Sequence, residues 1–262
     1  MTVEAFTSER AQPWSVRTPG ATTAVLVVHG FSSTPQSVRG WAEAFAAAGC
    51  SAEVPRLPGH GTTLADANAS TWGDWVAALE VPLAALRADH DVVVVAGISM
   101  GGALALRLAQ RHPGLVDGLV LANPAVALEA RRALPAATFG LVARSWPAIA
   151  GDLKDPAARE VAYDRTPLKA LASQTRGWRQ VRADLGLVRQ PVLLLRTEVD
   201  HVVPALSSAR VLAGISSTDV TEVVYGNSFH VLTLDHDAPA AFAESVRFVQ
   251  RLGDAAAASA TG

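Results

Sequence analysis

The chain has one cysteine, Cys50, among 262 residues. An intramolecular disulfide is therefore excluded, and nothing pairs the thiol with metal-ligand spacing. Cys50 reads as a small buried hydrophobe at a strand start. The formal net charge is only -2, with both signs scattered. No basic stripe with interleaved aromatics is present, which argues against nucleic acid as a partner. No run approaches the roughly 20 apolar residues of a membrane span. The opening "MTVEAFTSERAQPW" carries acids and lacks the apolar core of a signal peptide. A cytoplasmic location is the expectation. The closing "GDAAAASATG" is low in complexity, and 253–262 is expected to be a flexible tail.

Apolar residues, by contrast, make up 50% of the chain, enough for a large core. Short strand-like runs alternate with helical patterns, as in a parallel sheet covered on both faces. Strands are expected at 24–30, 51–55, 91–96, 116–124, 190–197 and 219–225. Helices are expected at 36–49, with Gly49 closing it, at 70–88 with Ser70 as N-cap, and at 101–111, 204–214 and 238–252. Between about 125 and 189 the rhythm breaks. No convincing strand appears there, and Pro124, Pro135, Pro147, Pro156 and Pro167 cut the segment into short pieces. The expectation is one core from 1–124 and 190–252, with 125–189 as a cap over the strand C-terminal ends.

The stretch "VVVVAGISMGGALALRLAQ" joins a buried strand to a helix through three glycines and Ser99. Gly97-Ile98-Ser99-Met100-Gly101 fits G-x-S-x-G with a strand before and a helix after. A turn this tight leaves no room for Cβ atoms at its glycines and lifts the serine hydroxyl to the sheet edge. The helix N-terminus behind it favours a developing oxyanion. A neutral hydroxyl is a poor nucleophile, so it needs a base and a group orienting that base. The chain order for this turn is Ser, acid, His. "TEVDHVVP" offers Asp200, with Glu198 as the alternative, and "GNSFHVLTLDH" offers His230. His236, at the start of the last helix, reads as a cap or a solvated group. His90 and His112 read as surface groups. His201 adjoins the acid but has the wrong chain order for the base. The oxyanion needs two backbone N–H donors. Met100 follows the nucleophile, and Phe31 follows the first long strand, with His29 bracing that loop.

With these residues in place the chain resembles the α/β-hydrolase superfamily. More narrowly, it is similar to the bacterial monoacylglycerol lipases and related small carboxylesterases. "VLVVHGFSSTPQSVRGWAEAFAAAG", "PRLPGHGT", "GISMGG", "GDLKDPAAREVAYDRTP", "DHVVP" with "GISST" after it, and "NSFHVLTLD" carry the resemblance from about Val25 to Leu252. It implies Ser99 as nucleophile, Asp200 as acid, His230 as base, and Phe31 and Met100 at the oxyanion. It also implies that Ile149 lines the pocket and that Glu160 reads a glycerol head group. The residues alone favour a surface salt bridge for Glu160, with Arg159 or Arg165. Phe229 stands where that family has tyrosine, and Ile98 where leucine is usual.

The expected function is hydrolysis of monoacylglycerols to glycerol and fatty acid, without metal or other cofactor. A broad carboxylesterase for short and medium chains is the alternative, and a non-catalytic ligand-binding protein on the same fold is a third reading. The expected partner is a small lipid ester. An apolar cap surface fits either transient contact with lipid aggregates or packing on the core.

Overall fold

A computed structural model describes residues 6–127, 145–148 and 151–260. Its main sheet has seven strands in the order β1 (Trp14–Val16), β3 (Ser51–Val54), β2 (Thr23–Val28), β4 (Val92–Ile98), β5 (Gly118–Ala122), β8 (Val192–Thr197) and β9 (Val220–Tyr225). Only β1 runs antiparallel; the other neighbours are parallel. Every residue of β2, β4 and β5 is buried, as the continuous apolar runs require of a sheet covered on both faces. Alternate side chains divide between two layers. Leu26, Val28, Val93 and Val95 join one core cluster, and Val25, Val27, Val94 and Ala96 join the other.

The first layer is closed by α3 (Trp72–Asp89), α4 (Met100–Arg111) and α5 (Leu168–Ala183). The second is closed by α1 (Gln36–Ala47) and α7 (Ala238–Ala260), where Trp41 stacks on Phe242. A short α2 (Leu64–Ala69) precedes α3, and α6 (Leu206–Gly214) follows β8. Each fully buried large side chain, such as Trp75 or Leu104, contributes about 2 kcal/mol by leaving water. The expected α/β-hydrolase architecture is what this topology gives.

Four details differ from expectation. Ser70 ends α2, its hydroxyl donating to the Ala67 carbonyl, and Thr71 caps α3 in a reciprocal box with Asp74. Between 125 and 189 a small antiparallel ladder pairs β6 (Ser145–Pro147) with β7 (Arg165–Pro167). Pro167 then precedes a helix of 16 residues instead of interrupting one. The last helix runs on to Ala260, because alanine-rich sequence propagates a helix already nucleated by packing. Ile149 and Pro135 lie outside the described residues. Among the described residues no helix is long and apolar enough to cross a membrane.

The capping box yields a stability prediction. Thr71→Ala removes the acceptor for the Asp74 N–H and lowers unfolding free energy by about 1 kcal/mol, whereas Thr71→Ser is near neutral. Urea denaturation of the three chains reads the difference.

Candidate active site

Strand β4 ends at Ile98 and α4 starts at Met100, so Ser99 alone turns the chain. It does so at φ 55, ψ -117, a left-handed conformation rare for a side-chain-bearing residue. Such strain costs about 1–3 kcal/mol and persists only where the surroundings enforce it. They do so here through hydrogen bonds. The Ser99 N–H donates to the Ala122 carbonyl at 2.9 Å, and the Ser99 carbonyl accepts from Ala103 and Ala125. A Cβ on Gly97 would lie 2.3 Å from the Gly101 oxygen, and one on Gly101 would lie 2.1 Å from the Val28 oxygen. Both contacts are with backbone that cannot retreat, so the glycines are a steric requirement. The serine side chain does not cap α4. It lines a cleft of about 640 Å³, open mouth included, together with His230, Glu160 and Phe31.

His230 reaches that cleft from the loop after β9. Its Nδ1 lies 2.7 Å from Asp200 Oδ2, from the loop after β8. With the proton on Nδ1 held by the carboxylate, Nε2 keeps its lone pair. The other Asp200 oxygen accepts the N–H groups of Val202 and Val203 at 2.8 and 2.7 Å. Burial pushes the Asp200 carboxyl up, but the neighbouring His230 charge and these hydrogen bonds outweigh it and hold it below the usual carboxylate range. Burial likewise works against His230⁺. The Asp200 charge and hydrogen bond, helped by Glu160 and Asp152, raise it above the ordinary histidine value. Glu198 is exposed and has no such contact; its N–H donates to Tyr225.

The loop after β2 passes beside the serine, where a Cβ on Gly30 would sit 3.6 Å from the Ser99 Cβ. His29 braces it as expected. Its Nδ1 lies 2.9 Å from the Gly30 carbonyl, and its Nε2 accepts the Leu57 N–H at 3.2 Å. Those two contacts define a neutral ring. Burial, reinforced by His60, pushes its pKa down to about 3. Phe31 packs edge-on against His60 and Trp75. Met100 opens α4, where the first N–H groups have no intrahelical acceptor.

Glu160 lines the cleft, and its Oε2 accepts the Gly151 N–H at 2.8 Å. Arg159, offered as its salt-bridge partner, bonds instead to the Pro156 and Ala158 carbonyls. The remaining wall is largely apolar: Leu171, Trp178, Val202, Val203 and Val231. Phe229 packs edge-on against His201, ring centroids 4.7 Å apart. His236 is exposed. His90, expected at the surface, is buried, with Nδ1 at the Leu86 carbonyl and Nε2 at Ser51 Oγ. His112 is half-buried against Glu80. Cys50 is buried, and burial pushes its thiol up to about 11, leaving it inert. Among the described residues no cluster suited to a metal ion occurs.

Three site-supporting residues escaped the sequence reading. Asn123, at φ 42, donates to the His230 carbonyl at 2.8 Å and accepts the Thr197 N–H. Asp235 accepts the N–H groups of Lys154, Asp155, Phe229 and His236. Asp152 accepts those of His201 and His230. Asp152 lies in "GDLKDPAAREVAYDRTP" and Asp235 closes "NSFHVLTLD", two stretches singled out for other reasons.

The profile of the family described as serine aminopeptidase, S33 (Hydrolase_4) matches residues 20–237. A thermostable monoacylglycerol lipase of Bacillus sp. (strain H-257) is 41% identical over 224 residues, 86% of this chain and 89% of the relative. A carboxylesterase of Bacillus subtilis (strain 168) is 21% identical over 235 residues, 89% of this chain and 94% of the relative. A solved structure from work on LipS and LipT, two metagenome-derived lipolytic enzymes, superposes with a TM-score of 0.88 at 34% identity. That match covers 93% of this chain and 98% of that one.

The buried histidines beside the loop after β2 dictate an acid response. Burial also holds His60 down at about 4. Both rings stay neutral in the folded protein but take up a proton in the unfolded chain below about pH 6.5. The unfolded state then binds more protons, so stability is full above that pH and is lost as pH falls towards 4 and 3. Between pH 6 and 5 the non-titrating His60→Asn variant has a shallower stability slope, by about 1 kcal/mol per pH unit. Chemical denaturation at several pH values measures it.

Proposed function

The chain belongs to the serine aminopeptidase S33 family of α/β-hydrolases, and we propose that it hydrolyses monoacylglycerols through an acyl-enzyme on Ser99. The observation that carries this reading is one cleft in which Ser99, His230 and Glu160 meet a largely apolar wall, with Ser32 and Gln174 its other polar residues. Residues 125–189 act as a cap on a core built from 1–124 and 190–252. Ile149 belongs to the same reading as part of the pocket wall.

In the reaction, His230 Nε2 takes the Ser99 proton as Oγ attacks the ester carbonyl. The carbonyl oxygen becomes an oxyanion, stabilised by the N–H groups of Phe31 and Met100. Each such donor contributes about 10²–10³ in rate. His230⁺, held by Asp200, returns the proton to the departing glycerol oxygen. Water, deprotonated by His230, then attacks the acyl-enzyme, and collapse releases the fatty acid and restores Ser99. Every proton passes through one imidazole, so no further group is needed. The apolar wall accepts the acyl chain, and Glu160 accepts hydrogen bonds from the glycerol hydroxyls. A triacylglycerol would bring two further chains to that polar end.

Glu160 Oε2 is already engaged by Gly151, which leaves part of its acceptor capacity for substrate. This observation favours a second reading, a carboxylesterase of broad taste. Monoacylglycerols and simple esters of equal chain length separate the two. Glu160→Ala is expected to lower kcat/KM for the monoacylglycerol about tenfold or more and to leave the simple ester near wild type. Equal preference in both proteins would favour the broad esterase.

Ser99→Ala is expected to fold, with an unchanged melting curve, and to lose activity by about 10⁴–10⁶-fold. A fluorophosphonate probe that fails to label wild-type Ser99 would point to a non-catalytic binder. His230 must be neutral to act as base. The acidic limb of kcat/KM is therefore expected above the ordinary histidine pKa, as a pH–rate profile will show.

A further inference from the structure

Asp152 lies in the segment between β5 and β8, yet its contacts are with the two loops that carry the acid and the base. Its Oδ2 accepts the His230 N–H at 3.2 Å and the His201 N–H at 3.1 Å. Its Oδ1 lies 2.8 Å from His201 Nδ1. Its backbone carbonyl accepts the Val231 N–H at 3.1 Å. One residue therefore touches the base itself, the residue after the base and the residue after the acid. The base is held at its other end by Asn123, which donates to the His230 carbonyl.

We propose that Asp152 is a positioning residue for ester hydrolysis. Its carboxylate fixes the acid loop and the base loop at the separation that the Asp200–His230 hydrogen bond requires, and it sets negative charge beside the imidazolium. The inference rests on the reading of Ser99, Asp200 and His230 given above.

The neighbouring Asp235 makes the contrast. Its carboxylate accepts four backbone N–H groups, from Lys154, Asp155, Phe229 and His236, and it touches neither His230 nor the acid loop. Asp235 staples the same segment to the core, so Asp152 is not needed for that purpose. The charged groups that face His230 are Asp200, Glu160 and Asp152. Those around Asp152 are His201 and His230. Lys154, two residues on, directs its Nζ to the Gly226 carbonyl and over the Phe229 ring. Removing the Asp152 charge removes one of three carboxylates that favour protonated His230. The acidic limb of kcat/KM must then move to lower pH.

The test compares wild type, Asp152→Ala, Asp152→Asn and Ser99→Ala on a soluble p-nitrophenyl ester from pH 5 to 9, with melting curves. Asp152→Ala is expected to lower kcat about 10–100-fold, the scale of a small misplacement of the base, with KM within about twofold. Its acidic limb moves to lower pH. Asp152→Asn keeps an oxygen acceptor without the charge. It recovers part of kcat, while its limb stays displaced like that of Asp152→Ala. If Asp152→Ala does not fold, Asp152→Asn alone decides, through its limb. Wild-type kcat in Asp152→Ala overturns the proposal, and so does lost kcat with an unmoved limb in both variants. Ser99→Ala that keeps its activity overturns this proposal together with the reading beneath it. Ser99→Ala inactive beside Asp152 variants that match wild type overturns the positioning role alone.

Discussion

One residue must turn a strand into a helix between Ile98 and Met100, and that constraint governs the rest of the site. The turn succeeds only if Gly101 passes against the Val28 carbonyl, which locks the end of β4 to the end of β2. In the sheet, Val28 lies opposite Gly97, so register and turn specify each other. The same contact brings the loop after β2 beside Ser99. The proposed nucleophile and oxyanion donors are thus one geometric decision. Steric exclusion between backbones enforces it, where flexible side chains could not.

Burial alone does not decide what a histidine does here. His29, His60 and His230 are all buried. The first two face carbonyl oxygens and aromatic rings, and among the described residues no carboxylate compensates the loss of water. They stay neutral and act as rigid struts. His230 meets Asp200 across 2.7 Å, and opposite charge outweighs desolvation. It therefore holds a proton more readily than a free imidazole. The three rings differ in the sign of their surroundings, and that difference sorts support from chemistry.

The parts of the molecule legible in the sequence are those set by local rules. Continuous Val runs reveal strands buried on both faces, and glycine spacing reveals the turn at Ser99. The order Ser99, Asp200, His230 leads to a serine and a histidine that line one cleft and to an acid 2.7 Å from that histidine's ring. What escaped depends on distant partners. Thr71 and Ser70 are adjacent and equally good caps; only the end of α2 assigns them. Strand β1 is three residues long and half exposed, too short for a period to register. His90 is buried because Ser51 receives its ring, a contact 39 residues away in sequence. Asp152 and Asp235 look like ordinary surface acids, and their acceptor roles arise only when the loop around His230, which carries Asp235, packs against the segment that carries Asp152.

That last point bears on how the segment between β5 and β8 relates to the chemistry. Covering a cleft needs apolar surface, which this segment supplies through Leu171 and Trp178 on α5. It does not need two carboxylates turned inward onto backbone N–H groups. Burying a charge is costly unless hydrogen bonds compensate it. Asp235 is almost fully buried and satisfies that condition with four N–H donors, all from the segment or the His230 loop. Such an arrangement is stable only when both strands of chain are in place, so the segment and the loop order together. The His230 loop follows an edge strand, β9, most of whose residues are exposed or half-buried, and a loop there has little of its own to hold it. It is held by Asn123 on the sheet side, by Asp152 across from it, and by its own Asp235, which ties it to Lys154 and Asp155. The segment between β5 and β8 is therefore part of the frame that keeps the imidazole in register, as well as a wall of the cleft.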